Sequence, residues 1–335
     1  MKKIFALIIG LLTVTAAMAA TGNTTGSSKQ PLLVVGVCHV GDSIWYTSVD
    51  SESRVKGRDS SELYRVVLSY LVTTTARTDN DYTLKFEVKG VEPAKDAKSV
   101  IRAGGLKALR GLPIVVKTTV GFVEPKIENW KAVASRLQQG YERAIDEAYK
   151  KNSALSKVAT ADNLKQIYAR SLSTQQGVAD DLGLFDIMFG FHGSKYATDG
   201  VHKQSVPAKG EDPAYTTSLQ AGYGKVDPSD NKTEFDNDYY VHRIVSTTYT
   251  GKQVTPLVHG LASSLGSGKD AATKAALEKE ANSISSVVST NDAKEYFYYN
   301  GWPKACIDNT VTTVGTYKHE KIKMLFSVGF HMAKY

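Results

Sequence analysis

Cysteine is nearly missing from this chain, with only Cys38 and Cys306 among 335 residues. A disulfide-stapled scaffold is excluded, because such folds carry several bridges. One bridge would pair unambiguously, but Cys38 sits in a strand-like apolar run and reads equally well as a buried thiol. Beyond the N-terminus no run of about 20 apolar residues occurs, which argues against a later spanning helix. No repeat recurs at a solenoid period, so array architectures are excluded. Single-signed charge is missing too. The 41 Lys and Arg are scattered among 34 Asp and Glu, which describes a solvated mixed surface and argues against a nucleic-acid partner.

Catalytic and cofactor signatures are equally scarce. None of the seven histidines lies in a zinc spacing, and no Gly-x-Ser-x-Gly marks a nucleophile. The run Ser263 to Asp270 imitates a phosphate loop but has Ser263 where glycine is needed. Asp270 also stands where Ser or Thr would hold magnesium. No cofactor is expected. For a metal, the oxygen-rich stretch Asp227 to Asp238 is the best candidate, with Asp227, Asp230, Asp236 and Asp238 as calcium ligands. Against an EF-hand loop it has Lys232 for the sixth-position glycine and Asp238 for the terminal glutamate. A solvated acidic loop is therefore the preferred reading.

What is present begins with the leader. Met1-Lys2-Lys3 is a short positive start, Ile4 to Ala17 is mainly apolar, and Ala17-Met18-Ala19 is a small-residue exit. Together they predict a secretory signal peptide over 1–19. Losing Lys2 and Lys3 would take the formal charge from +7 to +5. Residues 20–30, rich in Gly, Ser and Thr, predict a flexible mature N-terminus. The expected location is the periplasm or outside a bacterial cell.

The globular part has 42% apolar and 22% charged residues, an ordinary folded balance. Leu32 to Cys38 predicts a buried strand and Ile44 to Val49 a second. Asp59-Ser60-Ser61-Glu62 has capping-box spacing, and Leu63, Val66, Val67, Tyr70, Leu71 and Thr74 fall on one helical stripe. A helix is expected there. Tyr82 to Lys89 alternates as a half-buried strand. A weaker helix over Ala94 to Arg110, a strand over Pro113 to Val123, a long helix opened by Pro125 and a helix over Ala161 to Leu172 follow.

After that strands dominate: Leu184 to Phe191, Tyr215 to Tyr223, Tyr239 to Thr250, Tyr296 to Tyr299, Thr310 to Tyr317 and Lys321 to Met332. Lys318-His319-Glu320 is expected to turn the last two. Gly193 to Pro213 reads as a long loop and Lys269 to Ser289 as a polar helix. The fold class is α+β. An α/β-like region at 31–180, running strand-helix-strand-helix-strand-helix, packs with a β-rich region at 181–335 across a soft boundary near Gly177 to Gly183.

Three local features invite chemistry. Asp238 and His242 share a strand face and could orient an imidazole as a base, with Asp186 and His192 a second pair. Cys38 and His39 point to opposite faces, which argues against a thiolate pair. Tyr296, Tyr298 and Trp302 could form an aromatic platform for a ligand. The final strand places Phe326, Val328, Phe330 and Met332 on one face, as an outer-membrane barrel would, but the predicted helices do not suit a barrel. The leading expectation is an exported envelope protein of non-enzymatic binding or assembly type, partnered by another envelope protein or by itself. The alternatives are an envelope hydrolase using a His/Asp pair and an outer-membrane-associated β-rich protein.

Overall fold

The computed structural model describes residues 30–56, 59–157, 160–210, 212–224, 239–254, 286–314 and 317–333, with 275 and 279. The leader, the phosphate-loop imitation and the calcium candidates Asp227, Asp230, Asp236 and Asp238 lie outside them, as does most of the expected helix at 269–289.

The molecule is built on one 11-stranded antiparallel sheet. Five strands run outward from its middle in chain order: β2 (Ser43–Lys56), β3 (Asp59–Arg77), β4 (Asp81–Pro93), β5 (Ile114–Thr119) and β6 (Val123–Ile127). Six return from the opposite edge: β8 (Val201–Val206), β9 (Ala214–Tyr223), β10 (Tyr239–Thr250), β11 (Ser286–Phe297), β12 (Pro303–Val314) and β13 (Tyr317–His331). The two meanders meet where β13 pairs with β2. A separate pair joins β1 (Leu32–Leu33) to β7 (Lys195–Tyr196). The sheet is open, with β6 and β8 at its ends.

The alternation of β4 is as expected, burying Tyr82, Leu84, Phe86 and Val88. β3 overturns the predicted helix at 59–75. Its buried residues are Tyr64, Val66, Leu68, Tyr70, Val72 and Thr74, a period of two that the helical stripe obscured. Val66, Val67 and Val72 with Thr73-Thr74-Thr75 are β-branched, which disfavours helix and suits a pleated surface. The front region thus opens on three successive strands, β2 to β4, and the expected one-by-one alternation of strand and helix is not seen.

The helices cover one face of the sheet. The helices with described bounds from 97 to 189 are α1 (Ala97–Lys107), α2 (Trp130–Lys151), α3 (Ala161–Ser171), α4 (Gln175–Leu182) and α5 (Phe185–Phe189). Pro125 does not open α2; it lies in edge strand β6, where a missing N–H is tolerated, and α2 starts after Asn129. α2 buries Val133, Leu137, Tyr141 and Ile145. Gly104, Gly105 and Gly140 let α1 and α2 touch backbone to backbone; a Cβ on Gly104 would stand 2.3 Å from Ala144 Cβ. α5 replaces the strand expected at 184–191. It buries Phe185, Ile187, Met188 and Phe189, and a short run apolar on all sides fits a sandwiched helix as well as a strand. β7 and β8 occupy part of the expected long loop, and Lys318-His319-Glu320 lies inside β13, paired with Val311 to Thr313.

The core fills the space between helices and sheet, with Ile44, Tyr46, Tyr70, Phe86, Leu137, Met188 and Trp302 among its members. A smaller cluster under β9, β10 and β11 holds Leu32, Val34, Phe191 and Phe297.

Candidate functional site

Antiparallel register places directly opposed residues on the same face, so the face away from the helices can be read row by row. One row runs Tyr240, Tyr296, Ala305, Phe326, Thr47 and Ser69. The next runs His242, Lys294, Ile307, Met324, Val49, Val67 and Glu92. A third runs Ile244, Asp292, Asn309, Ile322, Ser51 and Arg65. The second row is apolar from Ile307 to Val67 between Lys294 and Glu92, and the third carries Asp292 and Arg65 on either side of Asn309, Ile322 and Ser51. The core built with the helices lies on the other face. Trp45 is 45% exposed and Phe326 39%. Long apolar side chains on an open sheet centre are unusual for a monomer surface and mark contact sites.

His242 lies in this face. Its Nε2 donates to Asp292 Oδ1 at 2.9 Å, so the carboxylate beside the imidazole comes from β11. Asp238, the expected partner, lies outside the described residues. Asp292 could not be found from sequence, because register alone brings it to His242. Ser246 Oγ, on the same face, is engaged with Thr290 Oγ1 at 3.0 Å. Asp186 is exposed on α5 whereas His192 is buried. The His192 Nε2 donates to Gly301 O at 2.8 Å, and burial holds its pKa down to about 4.

The aromatic candidates separate. Tyr296 stands in the open face between Tyr240 and Ala305. Tyr298 stacks on Phe330 at 5.4 Å under the Lys304 ammonium. Trp302 is in the core, edge-on to Phe122 at 4.8 Å. Cys38 and Cys306 are both free and buried. Burial pushes the Cys38 thiol up to about 12, so neither its charge state nor its access suits a nucleophile.

Under the helices the sheet carries a charged seam. Tyr64 donates to Asp50 Oδ2 at 3.3 Å, and Lys323 lies opposite Asp50 beside Gly183 at the end of α4. Arg102 is clamped by Asp181 Oδ2 at 2.7 Å and by Tyr141. Burial raises the Glu52 carboxyl, but the His319 ring 3.6 Å away and the Lys98 ammonium outweigh it and hold it at about 2. Glu295 is 0% exposed, and neither carboxylate oxygen makes a hydrogen bond. Burial raises its pKa well above the ordinary value despite Arg243.

Two concavities among the described residues do not gather this chemistry. The cleft at Asp50, Tyr64, Arg102 and Lys323 has a volume of about 30 Å³, room for a few waters but not for a substrate. A groove of about 500 Å³ at the β8–β9 edge is lined by Gln30, Thr198, Gln220, Gly222, Tyr223 and Tyr240, with no His, Asp or Glu. Among the described residues no group of three His, Cys, Asp or Glu is placed to hold a metal ion, and no helix is long and apolar enough to cross a membrane.

No protein-family model matches the chain, and no curated protein matches it. Among solved structures, one titled "lipid-protein interactions in lipovitellin" is similar with a TM-score of 0.34 and 7% identity, over 89% of this chain and 26% of that one. The chain thus spans about a quarter of that protein, and a likeness this slight carries neither fold assignment nor function.

Proposed function

We propose that this chain is an exported bacterial envelope protein of non-enzymatic binding or assembly type, which holds its partner on the open face of the sheet. The observation that carries this reading is the apolar centre of that face, Ile307, Met324, Ile322, Val49 and Val67, framed by charged ends. The small cleft and the uncharged groove also favour binding over turnover. Export rests on the leader's pattern. The test is a photoreactive amino acid placed at Val67 or Ile307 in cells. Adducts from these positions, and none from exposed Lys131 on α2, are expected; equal or absent labelling would remove the open face from the function.

One observation favours a second reading, a hydrolase. His242 is oriented by Asp292 as a general base would be. A hydrolase screen of purified protein beside His242→Ala tests it: activity lost in the variant would establish that reading. Association with the outer membrane is the third, and fractionation separates it, because release with the soluble periplasm rules it out.

A further inference from the structure

The groove at the β8–β9 edge is a second surface with the shape of a binding site. β8 starts late at this end of the sheet. Val201 opposite Gln220 is the first pair between β8 and β9. Ala221, Gly222 and Tyr223 at the end of β9 therefore pair only with β10, through Val241, Tyr240 and Tyr239. Their other edge is bare of described strands. Gln30, Thr198 and Gly200 complete the lining with Gln220. Thr198 Oγ1 donates to Gln30 O at 3.3 Å, which ties together two segments far apart in sequence. The volume of about 500 Å³ falls inside the range of roughly 300–1,000 Å³ usual for small-molecule sites.

The lining sets the ligand class. None of its residues is charged. An ionic ligand would lose its hydration there without meeting a counter-charge. An apolar ligand would cover the Gln30, Thr198 and Gln220 side chains without hydrogen bonds. Both cost free energy. What the groove offers is hydrogen bonding beside aromatic rings. Gln220 Nε2 donates to Tyr240 Oη at 3.2 Å. The amide oxygen of one and the phenol hydrogen of the other have no partner among the described residues. Together they set an acceptor beside a donor, the match for two neighbouring hydroxyls. Gly222, opposite Tyr240, makes room for that phenol, since a Cβ there would stand 3.1 Å from Tyr240 Oη and 3.2 Å from its Cε1. Tyr223 is 66% exposed, a rigid amphipathic ring on which the C–H face of a sugar can lie. A peptide strand added to the bare end of β9 would find only Ala221 to Tyr223, short of the usual strand of about five or six residues.

We infer that this groove binds a short neutral oligosaccharide, with Tyr223 as the stacking platform and the Gln220–Tyr240 pair on adjacent hydroxyls. The site stands apart from the partner surface centred on Ile307, and either can fail without the other. Saturation-transfer NMR of the mature chain with maltotriose, cellotriose and triacetylchitotriose at millimolar concentration tests it, with trigalacturonate as the charged control. At least one neutral trisaccharide should bind, and trigalacturonate should not. Tyr223→Ala and Gln220→Leu should each weaken that binding about tenfold. Tyr223→Phe, which keeps the ring, should retain it. Ile167→Ala, at a 59% exposed site on α3, should leave it unchanged. Circular dichroism confirms that each variant is folded. No binding by any of the three neutral sugars, equal binding of trigalacturonate, or binding indifferent to both groove substitutions overturns the inference. Adducts at Val67 or Ile307 in the photolabelling experiment leave the open face standing in each of those cases.

Discussion

Glu295 is the residue where burial and charge conflict most sharply. It lies opposite Val241 on one side and Cys306 on the other, with Arg243 the nearby cation. A carboxylate without hydrogen bonds in such a place costs several kcal/mol, so the neutral acid is favoured. Because the folded pKa is raised, the native state binds the extra proton. Stability is then fully present below the unfolded value of 4.5 and declines as pH climbs toward the folded one. Glu295→Gln should therefore stabilise the protein at pH 8 by about 1–3 kcal/mol and change it little near pH 4. Urea titrations at both values check this; an equal loss at both would mean an ionised carboxylate held by Arg243. His192 behaves in the opposite sense. Its pKa is depressed to about 4, so its contribution is present above 6.5 and is lost as pH falls through 4. His192→Gln should flatten the acid limb of a plot of Tm against pH.

At the scale of elements, the close approach of α1 and α2 gives a prediction that propensity alone would reverse. Glycine inside a helix costs about 1 kcal/mol relative to alanine, so Gly140→Ala should stabilise α2 if the helix stood alone. In the fold the added Cβ would lie 2.6 Å from Gly104 O and 2.8 Å from Ala108 Cβ. Overpacking of this kind costs about 1–3 kcal/mol, and backbone cannot turn aside as a side chain can. Gly140→Ala should lower Tm, and a stabilised variant would contradict the packing. The same pair of helices shows what sequence can and cannot disclose. The stripe Val133, Leu137, Tyr141 and Ile145 was legible because it repeats within one element, as was the alternation Tyr82 to Val88. β3 was not, since Val66, Val67, Tyr70 and Leu71 satisfy a helical stripe while Tyr64, Val66, Leu68, Tyr70 and Val72 satisfy a strand. Its neighbours β2 and β4 decide between them. The His242–Asp292 pair and the rows of the open face were hidden for the same reason, because registers between strands far apart in sequence create them.

The whole molecule depends on one seam. The front meander β2 to β6 and the returning meander β8 to β13 are continuous only where β2 pairs with β13. Side chains reinforce that seam. Tyr46 donates to Pro303 O at 2.8 Å from inside the core, and the Ala333 amide donates to Asp42 Oδ1 at 2.9 Å, beyond the end of β13. α5 also packs against both β12 and β13 while belonging in sequence to the front helices. A core shared this way ties the two regions expected at 31–180 and 181–335, because neither meander can open at the seam without exposing Tyr46, Leu325 and Cys306. The expected outcome is one cooperative unfolding transition, with calorimetric and van't Hoff enthalpies equal. Two resolved transitions, one of them selectively lowered by Gly140→Ala, would show instead that the seam yields first and that the halves are separate domains.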